Sequence, residues 1–210
     1  MLLEFLRWGE KDLDEIILAG DIFDLVKDKM TYIRRDNPRL VKKVRELMDK
    51  GKLTYIYGNH DEDMKYLWGL KQRYIIPETD VVVLHGHQFD WVIKPPIRRL
   101  GEAAVRFAAI IEDLGWKSFS WNMSTLAYVV GARKLPDPTK ECDRDIYYNE
   151  SQEIIRSISG VNRLVHGHTH RAHKGDGIVM NCGCSTWGFS DYLYIEGDYS
   201  ELKKMKEGFP

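Results

Sequence analysis

The stretch Val165-His166-Gly167-His168-Thr169-His170-Arg171-Ala172-His173 carries four of the seven histidines in this chain. Three clusters of related chemistry precede it: Gly20-Asp21, Gly58-Asn59-His60-Asp61 and His85-Gly86-His87. Carboxylate, amide oxygen and imidazole together form a mixed oxygen and nitrogen donor set. Such a set suits Mn, Fe, Zn or Co, and it lacks the thiolates that mark a structural zinc. One histidine behind a strand is ordinarily structural. Four clusters behind four predicted strands are a different case, because α/β sheets gather ligands at the carboxyl ends of their strands. The glycine in each cluster permits a sharp exit and an unusual φ, so the backbone can aim a donor into the crevice.

The elements that must position these clusters can be read from periodicity. Residues 15–20, 52–58 and 80–86 are short apolar runs ending in glycine, as buried strands are. Residues 37–51 read as a helix, with Pro38 near its start, Leu40, Val41, Val44 and Leu47 on one face, and Gly51 at its end. Residues 62–72 read as a further helix, and Leu2, Leu3, Phe5 and Leu6 open an amphipathic one. Strand and helix in alternation predict an α/β sheet. From Trp91 to about Ser159 no strand is expected. Residues 97–115, 120–133 and 137–159 read as helices, so 91–159 is a helical insertion. Strands return at 162–167, 177–183 and 190–198.

The 210 residues suit a single domain over 1–210 that carries this insertion at about 91–159. A formal charge of −1 gives no global field for a polyanion, and nucleic acid is not expected as a partner. Cys142, Cys182 and Cys184 are too few and too irregular for a disulfide framework and suit a reducing compartment. No run approaches the ~18 apolar residues of a membrane span, and charge comes too early for a signal peptide. A cytoplasmic protein is expected, with peripheral membrane association left open.

The four clusters, in this order, resemble the calcineurin-like metallophosphoesterase family, whose blocks run D-x-H, G-D, G-N-H-[DE], H and G-H-x-H. Four of the five blocks stand between residues 20 and 170. The wording of residues 164–173 and the helical insertion are most similar to UDP-2,3-diacylglucosamine pyrophosphatase-like members. The resemblance implies a four-layer α/β sandwich flanked by helices, and a two-metal site. It implies Asp21 as the bridge between metals, Asn59, His85 and His168 around one metal, and His170 on the other. Manganese is the first choice, with iron or zinc as alternatives. The reaction implied is hydrolysis of a phosphate ester or pyrophosphate by a metal-activated hydroxide. His60 would stabilise the transition state or protonate the leaving oxygen, and Asp61 would orient and charge that imidazole. Substrates implied include a lipid-linked or nucleotide pyrophosphate, and a homodimer is one expected assembly.

Other polar residues have two readings each. Asp24 is a helix cap or a support for the site. His87 repeats the His85 spacing and either touches substrate or packs. His166 belongs to its strand, while His173 and Arg171 line the exit of the last cluster. Phe107, Ile110, Ile111, Trp116, Phe119, Trp121 and Leu126 either line an apolar cleft or pack the insertion onto the domain. Lys94, Arg98 and Arg99 hold a phosphate, face anionic lipid or are solvated.

The chain departs from the family pattern at the first block. No D-x-H occurs in it, and no histidine precedes His60. By analogy the first strand and its loop are missing from the N-terminus, through truncation or true loss. The metal on His170 then keeps only Asp21 and His170, too few protein ligands for tight binding. One well-held metal and one weakened site are expected, with activity impaired accordingly. The alternative is a non-catalytic scaffold or binding protein of the same fold, which the missing block favours and the intact Gly58–Asp61 cluster opposes. A nuclease-type phosphodiesterase is a third reading, opposed by the balance of nine Lys or Arg against eight Asp or Glu over residues 91–150.

Overall fold

The computed structural model describes residues 1–89, 107, 111, 147–183 and 191–205. Helix α1 (Leu2–Asp12) leads into strand β1 (Ile16–Ala19). Helices α2 (Met30–Asp36) and α3 (Pro38–Asp49) follow, then β2 (Leu53–Ile56) and α4 (Met64–Trp68). Strands β3 (Arg73–Ile75) and β4 (Val81–Leu84) precede a short 3-10 turn at His87–Phe89. The described chain resumes with α5 (Tyr148–Ser157), β5 (Arg163–His166), β6 (Val179–Asn181), β7 (Asp191–Glu196) and β8 (Tyr199–Lys204).

Strands β1 and β2 pair in parallel, Ile16 opposite Leu53 and Ala19 opposite Ile56. Strands β3 to β6 form a second sheet, antiparallel between β3 and β4 and parallel from β4 through β6. Strands β7 and β8 make an antiparallel hairpin.

Side-chain alternation sorts the core into three apolar layers. Ile16, Leu18, Leu53 and Tyr55 pack outward on Phe5 and Leu6 of α1, Val44 and Leu47 of α3, and Met64 of α4. Ile56 faces the other way, onto Val81, Val83, Val165 and Met180, with Ile17, Ala19, Leu193 and Ile195 beside them. Val82, Leu84, Leu164 and Val179 turn to the far side and meet Ile155 of α5. The order is helix, sheet, sheet, helix, the four-layer α/β arrangement expected. Strand β4 is buried along its whole length, which is why Val81-Val82-Val83-Leu84 reads as an unbroken apolar run rather than an alternating one.

Three described elements went unread in the sequence. Helix α2 fully buries no residue and sets only Met30 and Ile33 against the core, too short a stripe to betray it. Strand β3 is three residues long and mostly exposed. The helix expected over 62–72 stops at Trp68, where Gly69 takes φ +69° and ends it in a left-handed turn, and the chain then extends into β3. Strand β8 follows β7 after a tight turn at Gly197, and its one buried residue, Ser200, gives no apolar signal. Of the helical insertion, Phe107 and Ile111 are helical and α5 falls within 137–159. The rest of 91–159, with Lys94, Arg98, Arg99 and most of the apolar residues named for a cleft, lies outside the described residues.

Candidate metal centre

Each cluster occupies the loop that leaves a buried strand: Gly20-Asp21 after β1, residues 58–61 after β2, 85–87 after β4 and 167–170 after β5. Main-chain and side-chain bonds lash these loops together. His60 N–H donates to Asp21 Oδ1 at 2.8 Å, and Gly167 N–H donates to the His85 carbonyl at 2.9 Å. The approach at Gly20 is too close for any side chain. Its φ is +88°, and a Cβ there would stand 2.5 Å from His85 Nδ1 and 2.8 Å from Gly58 N.

Asp21, His85 and His168 each present a donor atom, and these atoms lie within 4.8 Å of one another. His85 is buried, and its Nδ1 lies 2.6 Å from the Ala19 carbonyl. A carbonyl can only accept, so Nδ1 carries a proton, and in the neutral ring that binds a metal the lone pair is on Nε2. That Nε2 sits 3.0 Å from Asp21 Oδ2, yet without hydrogen-bond geometry to any described residue. Two donors bound to one ion at ~2.1 Å and about 90° apart are separated by about 3 Å. The side-chain oxygen of Asn59 is likewise buried with no hydrogen-bond partner among the described residues. A buried acceptor left bare is costly, and a cation would relieve the Asn59 oxygen and, with His85 neutral, its Nε2. The donor set therefore fits a divalent ion held by Asp21, His85 and His168, with the Asn59 oxygen suited in chemistry to join them.

Backbone strain marks the same residues. Four described non-glycine residues take positive φ: Asp21 at +55°, Glu78 at +57°, His168 at +65° and His170 at +59°. Three of the four belong to the clusters. Left-handed backbone at such residues costs of order 1–3 kcal/mol and persists where the surroundings impose it. His170 stands two residues beyond His168 on this turn, outside the group of three whose donors converge.

Electrostatics favours the ionised carboxylate at Asp21. Burial works against its charge, but His85 and His60 outweigh burial and hold its pKa far below the usual range. Burial also opposes a charged His85, and Asp21 overcomes it, so that pKa is raised. His87 goes the other way. Burial, then the proximity of His85 and His168, pushes it down to about 4. Its ring lies 5.4 Å from that of His85 and 6.5 Å from that of His168, and its buried Nδ1 has no hydrogen-bond partner among the described residues. It is a neutral imidazole at the wall of the centre.

The support expected for His60 comes from a different residue. Asp61 does not hydrogen-bond the imidazole. It is fully buried, with Oδ1 accepting from Gly58 N–H at 2.6 Å and Oδ2 accepting from Ile22 N–H at 2.9 Å and from the Tyr55 hydroxyl. It is a clamp between the β1 and β2 loops. The reason is directional: the Asp61 side chain points down among the strands, where backbone donors claim both oxygens. Asp24 takes the place assigned to it, with Oδ1 3.0 Å from His60 Nδ1. Burial lowers the His60 pKa, but the Asp24 bond and the charges of Asp21, Asp24 and Asp61 raise it more. The recurrence of Asp three residues after Asp21 was the available signal for this pair. Tyr55 gave none, because its hydroxyl reaches Asp61 only through the fold.

The remaining histidines fall as follows. His166 ends β5, fully buried, with Nδ1 3.0 Å from the Gly167 carbonyl and its ring between Phe89 and Tyr147. His173 bridges backbone to backbone with Asn181. Arg171 is exposed. No helix among the described residues is long and apolar enough to cross a membrane.

The model of the calcineurin-like phosphoesterase family matches residues 1–172. No curated protein matches. Among solved structures, the chain is similar to a conserved uncharacterised protein, a predicted phosphoesterase, from Streptococcus pneumoniae TIGR4. That likeness is 14% in identity, covers 97% of this chain and 88% of the other, and has a TM-score of 0.36.

Proposed function

This chain belongs to the calcineurin-like phosphoesterase family, and on that premise we propose that it hydrolyses a phosphate ester or pyrophosphate with divalent metal bound at Asp21, Asn59, His85 and His168. The observation that carries the proposal is the convergence of the Asp21, His85 and His168 donors within 4.8 Å, with His85 Nε2 3.0 Å from Asp21 Oδ2. Asp21 and His170 would hold a second, weaker metal, for which two protein ligands are few. Divalent metal supplies a water of lowered pKa and positive charge for the phosphate oxygens.

The chain's own residues do the rest. Asp24 fixes the imidazole of His60 through Nδ1 and stabilises its charge, leaving Nε2 to hold a proton for the leaving oxygen. Asp61 ties the Asp21 loop to the His60 loop, so donor and acid keep a fixed spacing. His87, neutral at physiological pH, adds no charge that would compete for the phosphate.

Manganese is our first choice of metal, with iron or zinc next. The finer substrate reading is a lipid-linked or nucleotide pyrophosphate of the UDP-2,3-diacylglucosamine kind, supported by the wording of residues 164–173. We place the protein in the cytoplasm, as one domain over 1–210.

The test is turnover of bis-(p-nitrophenyl) phosphate with added Mn²⁺, with and without His60→Ala. Metal-dependent turnover is expected, and loss of the acid should cost about 10²–10⁴-fold. A chain that binds Mn²⁺ yet turns over neither this ester nor a pyrophosphate sinks the enzyme reading. It would leave the fold as a scaffold.

A further inference from the structure

Asn181, at the end of β6, is fully buried and polar, and nothing in the chemistry above uses it. Its carboxamide is saturated. Nδ2 has two hydrogens, which it donates to Thr169 Oγ1 at 2.6 Å and the Gly167 carbonyl at 3.3 Å, with His166 Nδ1 farther off at 3.5 Å. Oδ1 accepts from Gly183 N–H at 2.9 Å. Its backbone exchanges a pair of bonds with His173, at 2.6 Å and 2.9 Å. One residue thus grips the start, the middle and the far end of the turn that carries His168 and His170.

We propose that Asn181 is the positioning residue that holds this turn in its metal-binding shape, acting through the Thr169 hydroxyl. The proposal rests on the metal reading given above. Thr169 stands between two residues with φ of +65° and +59°. A non-glycine backbone relaxes from that region unless its surroundings over-determine it. The carboxamide provides the determination, because it offers two donors and an acceptor in one plane. Aspartate would lack the donors, leucine would lack both, and glutamine adds a methylene to a fully buried side chain. Partners of this kind orient ligands without touching the ion, and their loss typically weakens metal affinity about 10–100-fold.

The test uses the full chain and Co²⁺, whose absorption spectrum reports the geometry of its ligands, with affinity measured by titration. Asn181→Leu and Thr169→Val should each weaken Co²⁺ binding about 10–100-fold and alter the spectrum. Thr169→Ser, which keeps the hydroxyl, should restore affinity to within about threefold, and the double variant should be no weaker than the worse single one. A packing role alone would move the thermal midpoint of the metal-free protein and leave the spectrum unchanged. Thr169→Val is partly exposed and spares the core, so it decides the question if Asn181→Leu fails to fold. The proposal is overturned if Thr169→Val binds Co²⁺ as wild type does while His168→Ala does not. If His168→Ala also binds normally, the metal reading itself falls and this role falls with it.

Discussion

Replacing Asp61 with asparagine removes a charge and two lone pairs from a site with no exposure to solvent. Gly58 N–H and Ile22 N–H approach different oxygens of the carboxylate, at 2.6 Å and 2.9 Å. An amide has one oxygen. In either orientation its NH₂ confronts one of these donors, so at least one backbone N–H is stranded. A buried unsatisfied donor costs about 1–3 kcal/mol, and the surviving bonds lose their charge assistance, about 1 kcal/mol more. Burial raises the Asp61 pKa, with the charge of Asp21 adding to it against the bonds from Tyr55, Gly58 and Ile22, so removing the ion returns part of this. The expected net loss is about 2 kcal/mol. With a urea slope of ~2 kcal/mol per molar, the unfolding midpoint of the metal-free protein at pH 7 should fall by about 1 M. Tyr55→Phe, which removes one bond and strands none of the backbone donors, should lose roughly half as much. An Asp61→Asn protein within 0.5 kcal/mol of wild type, impaired only in turnover, would refute the clamp and return Asp61 to a role toward His60 alone.

Asp24→Asn should lower the pKa of His60, since Asp24 is the strongest influence raising it; the alkaline limb of the kcat profile then moves to lower pH, and a histidine NMR titration showing His60 unmoved would contradict the pairing. His87, at about 4 when folded against an ordinary 6.5, stays neutral while the unfolded chain takes up a proton. Stability of the metal-free protein is therefore whole above pH 6.5 and declines as pH falls to 4, by up to about 3 kcal/mol from this group. His87→Gln should lack that decline, so its stability difference from wild type must change between pH 7 and pH 4.5. Gly20→Ala combines a φ of +88° with a Cβ 2.5 Å from the His85 ring; circular dichroism melts should show a loss of more than about 2 kcal/mol, together with weaker metal binding.

Much of the centre was legible before any coordinates, for a physical reason. Buried strands in an α/β sheet are apolar runs, the residue that follows each run must turn sharply, and polar residues just beyond glycine there face the crevice. Val81–Leu84 followed by His85-Gly86-His87 shows all three features in seven letters. The unread elements had no such imprint: α2 is short and fully buries no residue, and β3 is short and mostly exposed. Within the centre, the sequence determined which residue types stand at the strand ends. It did not determine which carboxylate serves which neighbour. Asp61 adjoins His60 in the sequence, whereas Asp24 stands 36 residues before it, so spacing favours the adjacent one. Only the tertiary structure assigns Asp61 to Gly58, Ile22 and Tyr55 and leaves His60 to Asp24, because that choice depends on where a side chain points once β1 and β2 lie side by side. Asn181 is the same lesson at longer range: its letter ends β6 and names no target, and its contact with Thr169 exists only because parallel pairing sets β6 against β5.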